Sequence, residues 1–158
     1  MKGNFNYNMC KSCGGKCCTK FSGSYIPSDF KEPITVDFII NLLLSGKYAI
    51  DDWIGDAKEL NKYANTYYIR PRHVDEAAVI GSRGGICVNW TKDNGCSLSE
   101  EDRPFQCRML EPILEDGEHV CSIPKEAKSS KQDCAATWYD YQNLIERAME
   151  KYQMINNG

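Results

Sequence analysis

The stretch Cys10-Lys11-Ser12-Cys13-Gly14-Gly15-Lys16-Cys17-Cys18 decides how the rest of the chain is read. Four thiols stand here among lysines, glycines and a serine, with no aliphatic or aromatic side chain from which a core could be built. A C-x-x-C spacing lets two sulfurs converge on one ion from a tight turn, and Gly14 and Gly15 supply the backbone freedom and clearance such a turn needs. Lys11, Lys16 and Lys20 add positive charge that favours thiolate, the form that binds metal. The arm over residues 1–31 is therefore expected to be irregular, Cys-rich and held in place by something other than a hydrophobic core.

Outward from this stretch, further cysteines stand beside turn residues: Gly85-Ile86-Cys87, Gly95-Cys96, Pro104-Phe105-Gln106-Cys107 and Cys121-Ser122-Ile123-Pro124. Thiols kept for packing usually sit among apolar neighbours on helices and strands, whereas clustered thiols in loops are more often ligands. The expected metal ligands are thus Cys10, Cys13, Cys17, Cys18, Cys87, Cys96, Cys107 and Cys121. Cys134, at the start of the last predicted helix, reads as a buried structural thiol or a further ligand. Nine cysteines cannot all pair with one another, and clustered thiols in a reducing compartment are more often ligands than disulfides. Arg103 and Arg108 flank Cys107 and are candidates to donate hydrogen bonds to cluster sulfurs; the plainer reading pairs them with Glu100, Glu101 or Asp102. His119 is a spare ligand candidate, and His73 reads as a surface residue.

Cys10-x-x-Cys13-Gly14-Gly15-x-Cys17-Cys18, followed by Gly85-x-Cys87, Gly95-Cys96-Ser97-Leu98 and Arg103-Pro104-x-x-Cys107-Arg108, resembles the YkgJ-like cysteine-cluster proteins. These are described as zinc- or iron-chelating domains, and a related module occurs in flagellin lysine N-methylases. The resemblance runs from Cys10 to about Pro124. Cys121 falls where a further family cysteine commonly follows, Cys134 is additional to the pattern, and Met109-Leu110-Glu111-Pro112 departs from it. The adjacent Cys17 and Cys18 point in different directions in most backbone conformations. They suit two metals or a multi-iron cluster better than one tetrahedral ion. Two separated C-x-x-C knuckles, the usual frame of structural zinc, are absent. The expected cofactor is an iron–sulfur cluster, 4Fe-4S among the forms considered, with zinc as the alternative, since soft thiolates accept either.

The remaining sequence bounds the setting. With 158 residues, 42% hydrophobic and 26% charged, the chain is sized and composed for one small domain over 1–158. A net charge of −3 argues against a nucleic-acid or anionic-membrane partner. The start, Met1 to Asn8, has no apolar run, so a cytoplasmic protein is expected. Thr35 reads as the cap of a helix from Val36 to Ser45 stopped by Gly46. Ala57, Leu60, Tyr63, Ala64 and Tyr67 suggest a second helix, and Tyr67 to Val74 a strand bent at Pro71. Ile86 to Thr91 reads as a short strand before the turn Asp93-Asn94-Gly95, and Pro112 to Gln132 as a long loop. Trp138, Tyr141, Ile145, Ala148, Met149 and Tyr152 stripe a C-terminal helix over 134–155. Asp51-Asp52 reads as solvated surface.

The expected fold is mainly α with short β-strands and long loops, organised around a multi-cysteine metal centre. Two functional classes follow. In one, the centre serves redox or group-transfer modification of a protein or peptide; in the other, it is a structural zinc in an interaction or assembly module without catalysis.

Overall fold

Thr35 caps the first helix, α1 (Val36–Leu44), its hydroxyl oxygen accepting from Phe38 N at 3.1 Å. The chain leaves that helix through Gly46 at φ +83°, a backbone conformation that costs glycine nothing. The helix starts where the sequence placed it and ends at Leu44, one residue short of the expected Ser45, which serves as its C-cap. The computed structural model describes residues 16–20, 22–122 and 125–157. Within them the chain is a small mixed α/β domain with helices and short antiparallel strands.

Strand β1 (Tyr48–Ile54) pairs antiparallel with β2 (Asn65–Pro71), with Ile50 opposite Ile69 and Asp51 opposite Tyr68. Two smaller hairpins follow. The first joins β3 (Trp90–Thr91), the last two residues of the strand expected over 86–91, to β4 (Gly95–Cys96), its loop containing the expected Asp93-Asn94. The single-turn helix α2 (Phe105–Arg108) leads into the second, β5 (Glu111–Glu115) with β6 (Glu118–Ser122). The chain closes with α3 (Lys131–Ala136) and α4 (Gln142–Asn157). Alpha-helix α4 lies along α1, and both α3 and α4 pack on the β1–β2 ribbon. Their meeting faces form the main core, including Ile39, Leu43, Ile50, Tyr68, Trp138 and Ile145.

Four sequence expectations change here, and together they turn a mainly α fold into a mixed one. Residues Ala57 to Tyr67 do not form a helix. The Asp56 carboxylate instead accepts the backbone N–H groups of Lys58, Leu60 and Lys62, offering the backbone an alternative to helical bonding. Glu59 and Asn61 adopt positive φ in this loop, and Leu60 faces solvent. The predicted strand starts two residues earlier, at Asn65, and ends at Pro71, which supplies no N–H to continue a ladder. The expected loop from Pro112 contains the β5–β6 hairpin, turned by Asp116 (φ +51°) and Gly117 (φ +81°). Positive φ at both central residues is the geometry that Asp-Gly favours in two-residue hairpins.

The C-terminal helix is split. Alpha-helix α3 begins at the capping box Ser130–Asp133, and a 3-10 turn at Tyr139–Tyr141 separates it from α4. Trp138 Nε1 donates to Tyr25 O at 2.9 Å, and the Gln142 side chain binds both the N–H and the carbonyl of Tyr67. These long-range bonds bend a chain whose apolar stripe runs on unbroken. No helix among the described residues is long and apolar enough to cross a membrane.

Candidate metal centre

The segment following the vicinal cysteines is strapped to the body of the protein by backbone hydrogen bonds. Cys18 O accepts from Cys87 N at 2.7 Å, and Lys20 O from Gly85 N at 2.7 Å. Ser22 N donates to His73 Nε2 at 3.0 Å, Ser22 Oγ to Pro71 O at 2.8 Å, and Tyr25 N to Ile69 O at 2.9 Å. These bonds set Cys18, Lys20, Ser22 and Tyr25 in turn beside Cys87, Gly85, His73 and Ile69, and bring Cys18 to the second group of cysteines.

Three of those sulfur-bearing residues come together. Cys18, Cys87 and Cys96 form one buried cluster, with Trp90 and Leu98 packed against it. The 3-10 turn Lys16–Thr19, which contains Cys17 and Cys18, also packs on β4 and on β6, the strand that carries Cys121. Cys107 is buried on α2 outside this group, its sulfur pressed against the arm. A β-carbon added at Gly23 would lie 2.2 Å from Cys107 Sγ. The field of both Cys87 and Cys107 reaches the Tyr25 hydroxyl, whose pKa is raised first by burial, then by Tyr48 and by these two thiols. Cys121 is exposed, opposite Pro112 in the hairpin. Cys10 and Cys13 lie outside the described residues, as does the Cys17 side chain.

Among the described residues, no group of three or more His, Cys, Asp or Glu side chains is arranged to hold a metal ion. The packed thiols have the donor chemistry for iron or zinc, but the described part of the set does not close a coordination shell. Cys134 differs from the others. It is fully buried against Phe105 and Met109, its Sγ lies 3.7 Å from Ser129 O, and burial, then Asp133, push its pKa to about 12. This is the packing thiol the sequence suggested.

The two arginines beside Cys107 have distinct surroundings. Arg108 pairs with Asp29 at 2.7 Å, not with the nearby acidic run, and donates to Arg103 O. Asp29 also accepts from Ile26 N and Phe105 N, so one carboxylate ties the arm to the start of α2. Arg103 is almost wholly buried and lines a cavity beside the cysteine group.

Two further expectations are corrected. His73 is buried, not superficial. Its Nε2 accepts from Ser22 N and so carries no proton, while Nδ1 faces Ser82 Oγ at 3.1 Å and Glu76 Oε1 at 3.3 Å. Burial, then Arg70, hold its pKa below the ordinary value, so the ring is a neutral clip between arm and body. Asp51 and Asp52 are also buried, and Asp51 accepts from Arg70 Nε at 2.8 Å. Arg70 in turn makes two bonds to Glu76, which also accepts from Ser82 N and Oγ. Burial raises the Glu76 carboxyl, but Arg70 and the His73 N–H outweigh it and leave the pKa at about 2. The signal for this network was the acidic pair Asp51-Asp52 enclosed by apolar residues in Tyr48–Ile54, ahead of a strand containing an arginine; a buried acid needs a cation. His119 lies on β6 opposite Leu114.

Comparison of the chain with protein-family models, with curated proteins and with solved structures finds no match.

Proposed function

We propose that this is a metal-binding protein of the YkgJ-like kind, its arm folded onto the body around thiolates from Cys10, Cys13, Cys17, Cys18, Cys87, Cys96, Cys107 and Cys121. The observation that carries the reading is the buried grouping of Cys18, Cys87 and Cys96, residues far apart in sequence, beneath a turn that also bears Cys17. The stretch over residues 10–18 carries no aliphatic or aromatic side chain, which leaves much of its ordering cost to be met by bonds to an ion. An iron–sulfur cluster is the favoured occupant, because adjacent thiols serve separate iron corners more readily than one tetrahedral zinc. Such a cluster supplies electron transfer or a Lewis-acidic iron. The chain's own contribution is to hold the thiolates, shield them with Trp90 and Leu98, and fix the arm through Asp29 and His73. The setting is cytoplasmic, and the substrate class is a protein or peptide.

Anaerobic purification with iron supplied tests the metal. The expected result is a brown protein with visible thiolate-to-iron absorption and stoichiometric iron; a colourless protein holding zinc alone moves the reading to a structural zinc module. Cys18→Ser should abolish metal retention and Cys134→Ser should leave it intact. Unchanged metal content in Cys17→Ser and Cys18→Ser would refute the ligand assignment.

A further inference from the structure

Lys131 is the first residue of α3, next to the Ser130 cap, where that helix packs on the β1–β2 ribbon. A lysine at such a place ordinarily keeps its ammonium in water. This one is half-buried and laid against the ribbon, with Nζ 5.9 Å from the centre of the Tyr68 ring on β2. That distance is near the outer limit of a useful cation–π contact, so the ring does little to hold the charge.

The carboxylates around Lys131 are already engaged. Arg70 holds Asp51 at 2.8 Å and Glu76 at 2.6 Å, and Arg83 Nη1 lies 3.3 Å from Asp52 Oδ1 and 3.9 Å from Asp51 Oδ1. Asp52 Oδ2 accepts from Asn65, and on α3 itself Asp133 is turned back to Ser130. The Tyr68 hydroxyl is buried without a hydrogen-bond partner, and burial, then Asp51, raise its pKa, so no phenolate is there to pair with an ammonium. Acids and cations on the ribbon balance in number, but contacts decide: among the described residues Lys131 makes no ion pair and no side-chain hydrogen bond. An ammonium taken from water without a counter-ion is disfavoured. Burial lowers the Lys131 pKa first; Asp51 opposes it, and Arg70 and Arg83 add to it. The amine therefore reaches its uncharged, nucleophilic form closer to neutrality than a solvated lysine does.

We propose that Lys131 is a carbonyl-reactive site that captures a small aldehyde as an imine. The nitrogen lone pair forms the C–N bond as the carbonyl pair moves to oxygen, and a proton lost from nitrogen reaches that oxygen through solvent. The carbinolamine so formed then loses its hydroxyl together with the second nitrogen proton, as water, which leaves the C=N bond with no change of oxidation state. The aldehyde must be small because the amine is half-buried against the ribbon. Arg83 is a positioning residue: by occupying Asp52 and Asp51 it denies both to Lys131. The site lies on the body of the protein and does not depend on the metal centre.

Treating the full-length protein with propanal and cyanoborohydride reduces each imine to a stable propylamine, and peptide mass spectrometry reads the rate at each lysine. At pH 7, Lys131 should be modified about tenfold faster than the exposed Lys58 and Lys62. Its rate should also rise at lower pH in the folded protein than in protein unfolded by urea. Arg83→Ala, at an exposed side chain, frees the two aspartates; it should move the Lys131 profile to higher pH and slow its modification about fivefold at pH 7. Circular dichroism establishes that the variant is folded, and Arg83→Gln, which also removes the charge, takes its place if it is not. Modification of Lys131 no faster than that of Lys58 would overturn the proposal. So would a folded-state profile that rises no earlier than the unfolded one, or an unchanged rate in the folded Arg83 variant.

Discussion

Gly23 illustrates how closely the arm meets the body. With a sulfur 2.2 Å from where its β-carbon would stand and Cys107 N at 3.3 Å, any side chain must turn the Cys107 sulfur aside and press on α2. Gly23→Ala should therefore destabilise the protein by about 1–3 kcal/mol, the usual cost of overpacking, and lower metal retention by moving Cys107. Chemical denaturation and metal analysis of the variant check both effects; wild-type values for each would show that the contact is slack. Cys134 carries the opposite prediction. With its pKa pushed up to about 12 and no exposure, it should resist iodoacetamide at pH 8 in the native protein and react only after unfolding. Mass spectrometry of labelled peptides reads this directly. Cys134 was partly legible from sequence, since it lies next to Ala135, Ala136 and Trp138 at the start of the predicted C-terminal helix. Gly23 was not, since close approach between distant segments leaves no local pattern.

Elements were legible where a side chain acts locally and obscure where a distant one decides. The Thr35 cap, the Gly46 stop and the apolar stripe of α4 are each carried by neighbours in sequence. The false helix at 57–67 had the right period, but Asp56 claimed the backbone N–H groups that a helix would have needed. The β1–β2 ribbon is anchored by Arg70, whose charge is buried between Asp51 and Glu76. Removing Glu76 leaves that cation half compensated, so Glu76→Ala should cost about 3 kcal/mol, the low end for breaking a buried pair because Asp51 remains. The same network sets an acid limit. Glu76 has its pKa lowered from 4.5 to about 2, so its contribution is complete above pH 4.5 and is lost as pH falls toward 2. His73, whose folded pKa is also depressed, adds to the loss once the unfolded ring takes a proton below about pH 6.5. Urea midpoints measured from pH 7 to pH 3 should fall more steeply for wild type than for Glu76→Gln; parallel curves would remove Glu76 as the cause.

On the scale of the whole molecule, the body has its own core, and the described residues of the arm reach it through Tyr25 and Phe30. The body is held by Ile39, Leu43, Ile50, Trp138 and Ile145 between α1, α4 and the β1–β2 ribbon. The described part of the arm is held by a ladder of single hydrogen bonds, by the Asp29–Arg108 pair, by the cysteine group and by the packing of Tyr25 and Phe30 into the core. The sequence pointed to an anchor other than a core for residues 10–18, which have no aliphatic or aromatic side chain, whereas Tyr25 and Phe30 further along the arm join the main core. It did not show His73 or Asp29 as anchors, because each gains its partner only through the tertiary fold. If thiolate–metal bonds complete the attachment, removing the ion should loosen the arm and leave the body folded, since the two draw on different interactions. A ligand bound at a hundred times its dissociation constant contributes about 2.7 kcal/mol, which corresponds to roughly a hundredfold change in local opening. Chelation under reducing conditions should therefore speed amide exchange at Cys87, Gly85 and Ser22, whose N–H groups form the rungs between arm and body, by about that factor. Amides in the middle of α1 and α4 should keep their protection. Equal acceleration throughout would mean that arm and body unfold as one unit, and no acceleration at the rungs would mean that the hydrogen bonds and packed thiols hold the arm without a metal.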